Sequence, residues 1–258
     1  MSNAILIIVM VIAFVGMIVC AKKQKTNPNA KTLAILCLIV VVICAGKFLI
    51  DSGALGGMSR EMKDALASYE RFSEASAQSA GEFVSQNFKG QKAVIVAAGG
   101  SAFEKQPNKL ANYVKKYVKG VDAVIKGLPY APKENDPGMG EEYMNAKYFN
   151  QLFDDNKDVK VFILTISLPF DPAQMAQLNI WGKKGAQKLV VINADIHYLG
   201  KEIESGNVAA IVMRPDLKQA DFEKNAPSDL KKAFEARYLL VTQKNLKEIA
   251  SKYPALFK

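Results

Sequence analysis

The sequence has few of the side chains from which proteins build reactive centres. Its only histidine is His197, and its three cysteines, Cys20, Cys37 and Cys44, all lie in apolar runs near the N-terminus. The rest of the chain therefore lacks the residues for a disulfide framework, a thiol nucleophile or the common zinc sites. We expect it to bind no metal and no cofactor.

Acidic residues are outnumbered by basic ones, 25 to 34, which gives a net charge of +9. Five of the lysines, however, fall within the first 50 residues, where no acidic residue occurs. Beyond residue 50 the two signs are nearly balanced and the lysines are dispersed. A basic groove that follows a phosphate backbone needs clustered lysine and arginine, so we expect no nucleic-acid partner.

Two long apolar runs, Ala4–Cys20 and Thr32–Ile50, are each close to the length of a membrane-spanning helix. A short loop with four lysines separates them, and such loops stay in the cytoplasm. The start of the chain carries no basic side chain before the first run, unlike a cleaved signal peptide. We expect both runs to span a bacterial cytoplasmic (inner) membrane and the C-terminal part to lie outside the cytoplasm.

Three segments follow from this pattern. Residues 1–51 form two transmembrane helices with a basic cytoplasmic loop, 52–89 a glycine hinge and helical stalk, and 90–258 an extracytoplasmic α/β domain. Apolar residues recur at near-helical spacing from Met58 to Phe88. The stalk either packs onto the domain or forms an oligomerising coil, and its small residues at 73–80 weaken the second alternative.

From residue 90 onwards, short apolar strands alternate with amphipathic helices. The predicted strands are Ala93–Ala97, Ala123–Ile125, Lys160–Ile166, Leu189–Ile192, Ala209–Val212 and Leu239–Val241. The predicted helices are Pro107–Val118, Glu141–Phe153, Pro172–Lys183, Leu199–Glu204, Ser228–Ala236 and Leu246–Tyr253. This alternation is typical of a three-layer, Rossmann-like α/β domain, with a mainly parallel sheet of five or six strands.

One stretch, "KLVVINADIHYLGKEIESGNVAAIVMRPD" from Lys188 to Asp216, resembles the late part of the C-terminal lobe of type 1 periplasmic (sugar) binding proteins. There too a strand, a short helix, "SG" and an apolar strand ending near a proline follow one another. The resemblance extends over roughly residues 77–217 and implies a single ligand-binding lobe. Two departures stand out: Ala194 occupies the place of the family's ligand-contacting aspartate, and "SLPFDP" replaces its asparagine–aspartate turn.

Candidate binding residues follow the predicted strands, at the edge where open α/β sheets bind ligands. They are Gly99, Gly100, Ser101, Asp171, Asp195 and His197. The two glycines and the serine form either a tight turn or a ligand or partner contact. The aspartates act either as helix caps and turn residues or as acid–base or cation-binding groups. His197 has no partner motif and suits a surface position at the start of a helix.

The combined pattern predicts a membrane-anchored, extracytoplasmic binding and assembly module that is not an enzyme. No nucleophile, base and orienting group occur at a recognisable spacing. Protein partners or a homo-oligomer within an envelope complex are expected, and a small ligand would bind weakly to a single lobe. The alternatives are a solute-binding or sensor component of a transport system, completed by a second lobe from another chain, and a hydrolase that uses Ser101 and Asp195.

Overall fold

The chain forms two compact units, Met1–Ala67 and Ser68–Lys258. The computed structural model describes residues 3–23, 29–51, 59–98, 108–129, 145–182, 187–193, 199–215 and 225–257. The division between the units falls inside one helix, so the domain boundaries expected after residues 51 and 89 stay a prediction.

The first unit contains two apolar helices, α1 (Asn3–Lys23) and α2 (Asn29–Asp51). They pack closely where Gly16 meets α2, since a Cβ built on this glycine would lie 3.4 Å from Sγ of Cys37. Many isoleucines, leucines and valines of both helices are exposed, which is typical of helices that face lipid. Among the described residues, the segment Thr32–Leu49 is long and apolar enough to cross a membrane. A signal sequence would have the same properties, so the two spans and their orientation stay a prediction.

A long helix, α3 (Arg60–Asn87), begins at a serine cap, where the backbone N–H of Met62 donates to Oγ of Ser59 at 3.1 Å. From Phe72 to Val84 one face of α3 is buried in the second unit. This part of the predicted stalk therefore packs onto the α/β domain, which was the first of its two expected roles. An oligomerising contact through the exposed start of the helix stays a prediction.

Six strands form one sheet in the described part of the second unit. They are β1 (Lys92–Ala97), β2 (Asp122–Gly127), β3 (Val161–Leu164), β4 (Lys188–Ile192), β5 (Val208–Met213) and β6 (Leu239–Thr242). Their order across the sheet is β2-β1-β3-β4-β5-β6. All neighbours pair in parallel except β5 and β6, which pair antiparallel. The predicted α/β fold with a mainly parallel sheet is confirmed, and each strand end lies within two residues of its predicted position.

In the described parts of the chain, six further α-helices connect or follow the strands. They are α4 (Lys109–Tyr117), α5 (Ala146–Asp154), α6 (Pro172–Ala176), α7 (Gly200–Glu204), α8 (Leu230–Arg237) and α9 (Leu246–Lys252). Polar side chains cap several of them: Asn108 accepts from the backbone N–H of Ala111, and Asp229 from that of Lys232.

The helix predicted over Pro172–Lys183 is wrong as a single element. It ends at Ala176, and a short 3₁₀ turn, Asn179–Gly182, follows. Hydrogen bonds with α5 redirect the chain here, because the backbone N–H of Asn179 donates to Oδ1 of Asn150 at 2.8 Å and its side chain donates to Asp154. These tertiary contacts outweigh the local helical pattern.

The core lies on both faces of the sheet. Alternate strand residues point to opposite sides, so that Val94 and Val96 pack with α5, α7 and α9, whereas Ala93 and Ile95 pack with α3, α4 and α8. Phe153 and Phe162 meet edge to face at 4.8 Å between ring centroids on the first side. Helices thus cover both faces, as expected for strands with near-continuous apolar sequences.

Candidate functional site

The strand order creates a switch point between β1 and β3. The chain leaves β1 for β2 on one side and returns to β3 on the other, so the connections after β1 and β3 run in opposite directions. In open α/β sheets, ligands bind in the crevice outside the carboxyl ends of the strands at such a point. We define this region, around the ends of β1, β3 and β4, as the carboxyl edge.

Thr165 closes the ladder between β1 and β3 at this edge. Its backbone N–H and its Oγ1 hydroxyl both donate to the carbonyl oxygen of Val96, at 3.0 and 2.9 Å. The ladder between β1 and β2 continues past the end of β2 in the same way, because the N–H of Leu128 donates to the carbonyl of Ala97 at 3.1 Å. The backbone is therefore fixed up to the point where the crevice opens.

Most of the predicted site residues lie outside the described residues. Gly99, Gly100 and Ser101 follow β1, and Asp195 and His197 follow β4. Their contacts, and the roles expected of them, stay predictions.

Asn193, the residue directly after β4, adopts an unusual backbone conformation. Its φ is 60°, in the left-handed region that few residues other than glycine enter and that asparagine tolerates. Its N–H donates to the carbonyl of Val212 at 2.7 Å, which ties it to β5. The chain thus turns sharply at the carboxyl edge, two residues before Asp195. No feature of the sequence analysis had marked this turn.

Asp171 serves as the N-cap of α6. Its Oδ1 accepts a hydrogen bond from the backbone N–H of Ala173 at 2.9 Å, and Pro172 takes the first helical position. This is the capping alternative that the sequence left open. The side chain remains exposed, so a contact with a ligand or partner stays a prediction.

Phe170 is the main feature that the sequence analysis missed. Its side chain is 72% exposed, although it lies between the buried Pro169 and the capping Asp171. In the connection from β3 to α6, both neighbours of Phe170 are fixed: Pro169 is buried and Asp171 caps α6. Pro169 and Pro172 also restrict the backbone on either side. The signal was present in "SLPFDP", where an aromatic residue stands between two prolines. Exposed aromatic side chains held in a fixed position are frequent anchors of protein interfaces.

Near the carboxyl end of β5, burial raises the pKa of Tyr238 and lowers that of Arg237, whereas other shifted pKa values belong to pairs away from the carboxyl edge. A hydrogen bond from Lys116 at 2.7 Å lowers the pKa of Glu74, and burial together with that carboxylate raises the pKa of Tyr117. At the opposite edge of the sheet, Lys92 lies 2.5 Å from Asp158 and lowers the pKa of its carboxyl group. These are surface ion pairs and hydrogen bonds that join elements of the fold. No group of three or more metal-ligating side chains occurs in the described part of the chain.

Comparisons with known proteins give a fold likeness and no family assignment. No family model and no curated protein matches the chain. Several solved structures are similar to it, and three of them illustrate the likeness. An arabinose-binding protein from Geobacillus stearothermophilus is 14% identical, with 69% of this chain and 62% of that chain covered and a TM-score of 0.43. A putative LacI transcriptional regulator from Bacteroides fragilis is 11% identical, with 69% of this chain and 61% of that chain covered and a TM-score of 0.42. A sugar-binding protein of a sugar ABC transporter from Bacillus halodurans is 10% identical, with 69% of this chain and 64% of that chain covered and a TM-score of 0.43.

The sequence predicted a resemblance to one lobe of type 1 sugar-binding proteins, and sugar-binding proteins are among these matches. The chain spans about 62% of the length of the arabinose-binding protein. The α/β fold itself is established by the order and direction of the six strands.

Proposed function

We propose that this chain is a non-catalytic binding and assembly module. Its N-terminal helices hold it at a bacterial inner membrane, and its extracytoplasmic α/β domain contacts a protein partner through the carboxyl edge. The observation that supports this most is the exposed ring of Phe170, presented beside the switch point by a backbone that a helix cap and two prolines restrain.

A protein partner fits this edge better than a free solute. Small ligands bind with useful affinity when a closed pocket removes most of their surface from water, and a single lobe offers contacts on one side. A protein partner can bury Phe170 together with the surface around it, and burial of a large aromatic side chain stabilises a complex by about 1.5–3 kcal/mol. Membrane attachment would raise the effective concentration of such a partner when it is anchored in the same membrane.

Catalysis would need a nucleophile and a base that meet at this edge. In the described part of the edge the polar side chains are Thr165, whose hydroxyl is bound to Val96, Ser167, Asp171, which caps α6, and Asn193. None of these forms a nucleophile–base pair. A hydrolase would therefore depend on Ser101 and Asp195, and loss of an activity on changing either residue to alanine would favour that alternative.

The test compares two exposed aromatic residues on different surfaces. Phe170 lies at the carboxyl edge and Tyr69, 66% exposed, lies on α3, the other surface expected to form contacts. The full-length protein is extracted from its native membrane in mild detergent, and the mass of the complex is measured for each alanine variant. We expect Phe170→Ala to release the partner and Tyr69→Ala to retain it.

The opposite pattern would place the contact on α3. A monomer of wild-type protein that binds a sugar by itself with micromolar affinity in calorimetry would contradict the proposal and favour a solute receptor. Lys119→Ala, at an exposed lysine just before the start of β2 and thus at the opposite edge of the sheet from Phe170, controls for nonspecific loss of charge or area.

A further inference from the structure

A cavity lies at the amino edge of the sheet, opposite to the carboxyl edge. Here the starts of β4 and β5 and the end of β6 face the last turn of α3 around a cavity of about 490 Å³. We propose that this cavity binds a small anion that joins one acidic group to an aromatic or aliphatic body. Its volume is in the range of pockets that hold small molecules.

One side of the cavity is apolar. Phe83 and Phe88, at the end of α3, meet edge to face with their ring centroids 6.5 Å apart. Val208 and Ala209, at the start of β5, also line it. The two rings are only partly buried, so each keeps surface that a ligand can cover. Covering such surface favours a ligand with an aromatic or aliphatic body.

The charged groups of the cavity have one sign. Lys188 and Lys244 line it, and no acidic side chain occurs among the described lining residues. Neither lysine forms an ion pair with a described acidic residue. The ammonium group of Lys188 donates to the carbonyl of Gly206, which holds it in place, and an ammonium group has three donors. Donors therefore remain for the acidic group of a ligand.

Two of the three amide side chains in the lining, Asn87 and Gln243, are already engaged, and the third, Gln86, carries no charge. Asn87 donates to the carbonyl of Phe83 at 2.8 Å, and Gln243 donates to the carbonyl of Glu204 at 2.7 Å. Recognition of charge thus falls to the two lysines. A smaller cavity at the same edge provides a contrast, because its Lys92 is paired with Asp158 and it holds no comparable excess of positive charge.

The probes for this site are 3-(4-fluorophenyl)propionate, 4-fluorophenyl phosphate and the neutral 4-fluorobenzyl alcohol. Fluorine NMR of each probe with the full-length protein in detergent measures saturable binding at neutral pH. We expect either acidic probe to bind about fivefold more tightly than the alcohol, the size of one exposed ion pair. The stronger of the two acids identifies a carboxylate or a phosphate as the preferred group.

Three variants locate the binding. Lys244→Gln, at an exposed position, is expected to weaken the acidic probes about fivefold. Ala209→Trp should fill the cavity and abolish binding, and Lys247→Gln, an exposed lysine outside the lining, should change nothing. Lys244→Gln keeps the test decisive if Ala209→Trp fails to fold. Equal binding of the alcohol and the acids, no effect of Lys244→Gln, or no saturable binding up to about 5 mM would overturn the proposal.

Discussion

Gly81 is the point of closest approach between α3 and the end of α4. A Cβ built on it would lie 2.8 Å from Cβ of Tyr117, 3.0 Å from the carbonyl carbon of that residue and 3.2 Å from the nitrogen of Val118. Carbon atoms normally approach to about 3.5–4.0 Å, so Gly81→Ala needs a separation of the two elements by roughly 0.7 Å. Two of the three neighbouring atoms belong to the backbone and have no rotamer through which they can move aside.

The expected destabilisation by Gly81→Ala is the difference of two effects. Overpacking costs about 1–3 kcal/mol, and a rigid backbone neighbour places it in the upper half of that range. Replacing glycine by alanine inside a helix returns about 1 kcal/mol. We therefore expect a net loss of about 1–2 kcal/mol. The shift would also strain the hydrogen bond from the N–H of Lys119 to Oγ of Ser85, now 2.7 Å.

Urea unfolding followed by tryptophan fluorescence measures this loss. Trp181 is the only tryptophan and lies in the α/β unit, where its ring nitrogen donates to the carbonyl of Met175 at 2.8 Å. Gly200→Ala is the matched control, because Gly200 is helical and a Cβ there meets nothing within 4 Å. The control should keep or gain stability. A Gly81→Ala protein as stable as the wild type would refute the close approach of α3 and α4.

Three further outcomes are expected. Asp171→Ala removes the cap of α6 and should lower the free energy of unfolding by about 1 kcal/mol, whereas an unchanged unfolding midpoint would contradict the capping role. Because Lys116 lowers the pKa of Glu74, this carboxylate stabilises the fold above pH of about 4.5 and the contribution is lost as pH falls through its lowered pKa. On acidification, the free energy of unfolding of the Glu74→Gln variant should therefore fall less than that of the wild type. An equal fall in both proteins would show that the Glu74–Lys116 pair does not contribute to stability. Protease added outside spheroplasts should digest the region beyond residue 51, and full protection would contradict the predicted topology.

The sheet was predictable because its signals are local. Near-continuous apolar runs such as Val94–Val96 and Leu189–Ile192 are buried on both faces, and this pattern requires covering helices on either side. The antiparallel direction of β6 was not predictable in this way. A four-residue apolar strand has the same sequence pattern in either direction, and its direction follows from tertiary pairing with β5.

The packing of α3 shows a second feature that the sequence alone could not predict. The small residues near Ala75 and Ala80 weakened the coiled-coil interpretation, but the sequence did not show which contact these residues make. In the structure they form the buried face that lies on the sheet, with Gly81 allowing the approach of α4. Their role depends on contacts with residues distant in the chain, which periodicity does not reveal.

At the carboxyl edge, the site residues predicted after β1 and β4 lie outside the described residues and stay predictions, and the sequence reading missed Phe170 and the conformation of Asn193. The aspartate at 171 was recognised together with its capping alternative, since aspartate before proline is a common helix start. Exposure of Phe170 could not be derived from periodicity, because an aromatic residue between two prolines is as compatible with burial as with exposure.

Photo-crosslinking from position 170 tests most directly whether the carboxyl edge binds a protein partner. A benzophenone amino acid replaces Phe170 in the full-length protein, and the same group at Lys119 serves as the control on an exposed site elsewhere in the domain. We expect illumination of intact cells to join position 170, and not position 119, to one discrete protein of defined mass. The absence of any protein adduct at position 170, or equal labelling from both positions, would contradict the proposed binding surface.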